Sequence, residues 1–170
     1  MSSYVPEVDA SGPVDPLAWE GKAHLCKRFE DLYSFCNCLI MCGFLSANQA
    51  GAGAKSPLRT ILKLLSAVTG MTLDAEQMLR IGERGIAIRK LLATACGYSR
   101  RDDGLHVRFS EPLHGGPCEG AAVDDAKLQA ALDEYYGFRR YDDRGPTPEM
   151  LKDLGMGDVI QLRVEESDGN

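Results

Sequence analysis

Apolar residues recur at three- and four-residue steps between Trp19 and Phe44: Leu25, Phe29, Leu32, Tyr33, Cys36, Leu39 and Ile40. The spacing predicts a long amphipathic helix that turns apolar on every side near its end, which implies burial there. Asp15-Pro16 supplies its start, with Asp as N-cap and Pro at the first helical position. Ser56-Pro57 repeats that signal; Leu58, Ile61, Leu62, Leu65 and Val68 mark the buried side of a second helix, which Gly70 ends. Thr72 opens a third, with Met78, Leu79, Ile86, Leu91 and Leu92 buried and Gly97 at its end. Gly82 and Gly85 inside it predict close packing against another backbone, or a bend. Asp124 or Asp125 caps a fourth helix carrying Leu128, Ala131, Leu132, Tyr135 and Tyr136. Thr147-Pro148-Glu149 starts a short fifth, closed by Gly155. Val159 to Val164 alternates weakly, as a single edge strand would.

The pattern predicts a mainly α, multi-helix domain over residues 15–164, with at most one short C-terminal strand. Residues 1–14, with Pro6, Gly12 and Pro13, read as a flexible arm, and 165–170 as a frayed tail. Residues 46–54 are a small-residue loop. Residues 98–122 hold no sustained period and contain Pro112, Pro117 and several glycines. An irregular stretch of that length is usually functional or wraps a partner surface.

Composition narrows the class. The 170 residues suffice for one domain that buries roughly 70% of its unfolded surface. A net charge of -6 argues against a nucleic-acid surface. No apolar run approaches the ~20 residues of a membrane span, and the first residues lack the basic and apolar regions of a secretory signal. The expected address is therefore cytoplasmic, where six cysteines are reduced thiols or cluster ligands rather than disulfides.

Three of those cysteines, Cys36, Cys38 and Cys42, fall within seven residues of the first helix. On an ideal helix Cys38 and Cys42 share a face, and thiolates suit soft metals and iron–sulfur clusters. Equally, a cysteine is a small hydrophobe and often buried. The C-x-C-x3-C spacing matches no common zinc or ferredoxin pattern, so both readings stand. His24, His106 and His114 are too scattered to form a metal site by spacing. Asp102-Asp103 after Arg100-Arg101 reads as a turn and salt-bridge cluster or as acid/base groups. No catalytic residue is assigned.

Several stretches in order resemble the C-terminal domain of the aldehyde:ferredoxin oxidoreductase family, the tungsten- or molybdenum-pterin enzymes. They are Gly21-Lys22-Ala23, Gly82-Glu83-Arg84, Gly97 to Asp103 with Leu105, Arg108-Phe109, Glu111-Pro112-Leu113, and Gly116-Pro117. Leu132 to Tyr136, Arg139 to Asp142, Pro146-Thr147 and Leu151 to Gly155 complete the set. The resemblance implies aldehyde oxidation to a carboxylic acid, with electrons leaving through a four-iron–four-sulfur cluster to ferredoxin. It places Cys42 on the family's cluster-ligating cysteine. It also implies Asn37 and Met41 as cofactor-binding positions beside the pterin. Asn37 stands where the family has Asp, Ile40 where it has Gly, and Met41 where it has Leu. Nothing in the chain resembles the family's N-terminal pterin domain or its three-cysteine helical domain. The implied partner is thus a chain carrying those domains, or a second copy of this chain. An interaction or assembly module that keeps the fold without the chemistry is the alternative function. No nucleic-acid or membrane partner is expected.

Overall fold

The computed structural model describes residues 18–42 and 57–163. The expected arm, the Asp15-Pro16 helix start, the 46–54 loop, the Ser56 cap and the 165–170 tail lie outside these residues. Among them run five α-helices: α1 Lys22–Cys38, α2 Pro57–Thr69, α3 Ala75–Ala95, α4 Asp125–Arg139 and α5 Pro148–Asp153. A minimal antiparallel hairpin, β1 Tyr141–Asp142 and β2 Gly145–Pro146, joins α4 to α5, with Tyr141 opposite Pro146 and Asp142 opposite Gly145. The mainly helical class is as the pattern predicts.

Caps fix most of the helix starts. Asp74 accepts the Gln77 amide at 2.8 Å while the Gln77 side chain accepts the Asp74 amide at 2.9 Å. This reciprocal box starts α3 two residues after Thr72, and such a cap stabilises by about 1 kcal/mol. Asp124 caps α4, and Thr147 caps α5 with Pro148 at its first position. Gly70, Gly97 and Gly155, at φ of 74°, 92° and 71°, adopt the left-handed conformation just past α2, α3 and α5.

The centre of the fold is the contact of α1 with α3. A Cβ on Gly82 would lie 1.8 Å from the Asp31 carbonyl oxygen, and one on Gly85 2.4 Å from the Ser34 hydroxyl. The two glycines let the backbones approach, as their positions predict. At one end Leu32, Phe35, Cys36, Ile61, Met78 and Leu79 form a core, with Leu39, Met41, Leu62 and Leu65 packed around it. At the other end Ala87 and Leu91 meet Met150, Leu151, Leu154 and Met156.

Several expected core positions face outward. Val68 on α2, Leu92 on α3 and Tyr33 on α1 are exposed, because each helix is covered on one side only. Ile40 is 95% exposed, so α1 is not buried all round at its end. The helix stops at Cys38 instead of running on to Phe44. Residues 157–162 form a 3-10 helix where a strand is predicted, its turns leaving Val159 and Ile160 packed on the second core. The stretch 98–122 is irregular, as expected, with two short 3-10 turns, Arg100–Asp102 and Val107–Ser110.

Candidate functional site

The end of α1 carries the residues singled out by the resemblance. α1 closes with the paired bonds of a Schellman motif: the Ile40 amide donates to Asn37 O at 3.0 Å and the Met41 amide to Cys36 O at 3.1 Å. This motif needs a left-handed residue, and Ile40 supplies it at φ 57°. A β-branched residue there is strained by roughly 1–2 kcal/mol. The turn therefore demands a left-handed residue at this position, while the Ile40 side chain itself faces outward.

Beyond this turn Met41 is half-buried against the first core and Cys42 is exposed. Asn37 is exposed on the last turn of α1. Of the clustered thiols, Cys36 points into the core while Cys38 and Cys42 are exposed, and none of the six cysteines is in a disulfide. Among the described residues no three His, Cys, Asp or Glu side chains come together as metal donors. Burial thus sets Cys36 apart from the two exposed thiols.

Behind the turn lies an ionic network that sequence reasoning missed. Arg139, fully buried, donates to Asp31 Oδ1 at 2.5 Å, to Glu30 Oε2 at 2.7 Å and to the Lys27 carbonyl at 3.1 Å. Its Nε donates to the Tyr135 hydroxyl at 3.0 Å, and that hydroxyl donates to Glu30. Lys27 spans Asp31 at 2.8 Å and Glu83 at 3.1 Å. Burial by itself disfavours the guanidinium, but the Asp31 charge, Tyr135 and the hydrogen bonds to Asp31 and Glu30 together outweigh it and hold Arg139 above its ordinary value. Asp31 is pushed above the usual carboxylate range by burial, against the pull of Arg139 and Lys27. The network ties α1 to both α3 and α4. The Lys27-x3-Asp31 pair was its available signal; the partner 108 residues on had none.

The remaining candidates have local roles. Asp102 accepts the Ser99 amide at 2.7 Å as the reciprocal half of a cap, which holds its carboxyl below the usual carboxylate range. Asp103 accepts Lys90 at 3.0 Å and the Tyr136 hydroxyl. Lys90 and Arg100 each lie 5.2 Å from the Tyr136 ring centroid, so this group pins the start of the long loop to α3 and α4. His106 accepts the Arg108 amide at 3.2 Å, His24 lies against Phe138, and His114 is exposed. The polar cleft between α1 and α3 is lined by charges already paired, Arg28 with Glu76 at 3.1 Å among them.

Residues 1–156 match the family described as aldehyde ferredoxin oxidoreductase, domains 2 and 3. The chain belongs to the aldehyde ferredoxin oxidoreductase family. It is also similar to a Pyrococcus furiosus protein, the WOR-like subunit of an aliphatic sulfonate oxidoreductase, at 28% identity over 164 residues. That match covers 92% of this chain and 24% of the relative, so the chain spans about a quarter of the relative's length. No helix among the described residues is long and apolar enough to cross a membrane.

Proposed function

We propose that the chain is the helical domain of a tungsten- or molybdenum-pterin, iron–sulfur aldehyde:ferredoxin oxidoreductase, closing one wall of the pterin and cluster pocket. The observation that carries this reading is the exposed Asn37-to-Cys42 turn on a chain of this family. Cys42, exposed past the turn and with no three-donor group among the described residues, fits a single ligand to a cluster shared with another chain. It does not fit a cluster held by these residues alone. The bound cofactors would supply oxidation of an aldehyde to a carboxylic acid and electron transfer to ferredoxin.

This chain's own residues bind and position. Cys42 contributes the thiolate, because thiolate sulfur suits iron–sulfur clusters. The Asn37 amide is a neutral donor and acceptor for a pterin edge, weaker than a carboxylate in the same place. Met41, half-buried against the first core, keeps water from that side, and a dry shell tunes a cluster's potential. Arg139 holds α1 against α4 and so sets where its end points. The remaining wall comes from a chain carrying the pterin and three-cysteine domains.

A second reading, an assembly module without the chemistry, is favoured by Asn37 and Ile40 in place of Asp and Gly. Anaerobic isolation of the tagged full chain from its own cells, followed by iron, tungsten and molybdenum analysis, separates the two. The proposal expects a larger polypeptide to accompany it with iron and a pterin metal, and Cys42→Ser to lower the iron. A metal-free complex supports the second reading and sinks the first.

A further inference from the structure

Residues 98–139 hang on the rest of the fold by polar contacts. Of the 15 residues of α4 only Tyr136 and Arg139 are buried, and no residue of 98–124 is. Among the described residues neither apolar core contains a side chain of α4 or of the loop before it. The stretch is nevertheless tied to itself. Arg100 donates to Asp133 at 2.7 Å and to Gln129 at 3.1 Å, the Tyr136 hydroxyl donates to Asp103, and the Val123 amide donates to the Phe109 carbonyl at 2.8 Å. Its attachment to the rest runs through Arg139 on Asp31 and Glu30, Tyr135 on Glu30, and Lys90 on Asp103. Phe138 against His24 and Tyr136 against Tyr141 add ring contacts. Both ends join anchored elements through a left-handed residue. Gly97, at φ 92°, follows α3; Arg140, at φ 54°, precedes the hairpin, where Tyr141 packs on the second core and Gly145 and Pro146 are buried.

We propose that residues 98–139 form a hinged strap, latched to α1 by Arg139, that opens as one unit while α1, α2, α3 and α5 stay packed. A segment opens below the cost of global unfolding when few buried apolar contacts hold it. Opening here parts the buried Arg139–Asp31 pair, so the closed position is a definite one and not a frayed edge. Gly97 and Arg140 take up the backbone change. The strap thus sets whether Glu30 and Asp31 are covered by α4 or presented to water. It works in the same way whether or not Cys42 ligates a cluster.

Hydrogen exchange of the backbone amides in the full chain tests it. In the wild type the amides of α4 should exchange together, at least about a hundredfold faster, after correction for intrinsic rates, than those of α1 and α3. Ile61→Val thins the first core, which the open state keeps. It should speed exchange in α1 and α3 about three- to tenfold and leave α4 unchanged. Arg139→Lys keeps the charge but loses the fork that reaches Asp31, Glu30 and the Lys27 carbonyl, so it weakens the closed state alone. It should speed α4 by about tenfold or more, and α1 and α3 by the same factor, because the closed state is the starting point of both openings. Equal protection of α4 and α3, an α4 response to Ile61→Val as large as that of α3, or unchanged α4 exchange in Arg139→Lys would overturn the proposal.

Discussion

Arg139 on α4 meets Asp31 on α1 at 2.5 Å with both side chains withdrawn from solvent, 0% and 1% exposed. Removing one member leaves the other charged and buried, which typically costs about 3–5 kcal/mol. Arg139→Met should therefore destabilise the chain by about that much in urea. Asp31→Asn in the Arg139→Met background should cost much less than in wild type. Additive effects would show that the two charges act independently.

Gly82 and Gly137 both sit inside helices, yet their replacements should have opposite signs. Gly82→Ala places a methyl on the Asp31 carbonyl and should destabilise by at least about 3 kcal/mol, since two backbones must part. Gly137→Ala meets nothing within 4 Å and should stabilise by about 0.5–1 kcal/mol. Thermal denaturation of both variants checks this; equal effects would deny the close approach of α1 and α3.

The Tyr141 hydroxyl is buried beside Tyr136, their ring centroids 5.8 Å apart, and finds no hydrogen-bond partner among the described residues. An unsatisfied buried polar group costs about 1–3 kcal/mol. Tyr141→Phe keeps the ring packing and should raise the melting temperature by a few degrees. A fall would mean that the hydroxyl is bonded in solution.

How much of this was legible in the sequence depends on the range of the interaction. Caps are local, so Asp124, Thr147-Pro148 and Gly155 were readable. Gly82 and Gly85 announced a close approach, but the partner at Asp31 required the fold. Ile40 hid the end of α1, because propensity favours continuing the helix and tertiary packing of Met41 overrides it. Val159 to Val164 alternates weakly, and a short apolar run does not separate a strand from a 3-10 turn. Arg139 looked like any charge near a helix end. The site residues Asn37, Met41 and Cys42 came from family resemblance, since the cysteine spacing by itself left two readings.

Acid should unfold the chain through its surface carboxylates. Asp153 is held below the usual range by Arg80 and Arg140, and Asp102 by the Ser99 amide. A depressed folded value gives stability that is present above the unfolded value near ~3.9 and is lost as pH falls through the folded one. Asp153→Asn should thus narrow the gap in melting temperature between pH 7 and pH 3, by ~1–2 degrees for a single exposed pair. Asp31 acts in the opposite direction. Its raised value means the folded state takes up the proton first, so the stability of wild type relative to Asp31→Asn should grow as pH falls through that raised value. An unchanged difference in either comparison contradicts the assigned shifts.

The central claim is that this chain offers one ligand to a shared cluster. Iron counting after anaerobic reconstitution of the isolated full chain with iron and sulfide tests it most directly. The account predicts a colourless protein without stoichiometric iron, because Cys36 is turned into the core and no three donors converge among the described residues. A coloured species with four irons per chain would contradict it, and would mean that Cys26, Cys36 and Cys38 join Cys42 around one cluster.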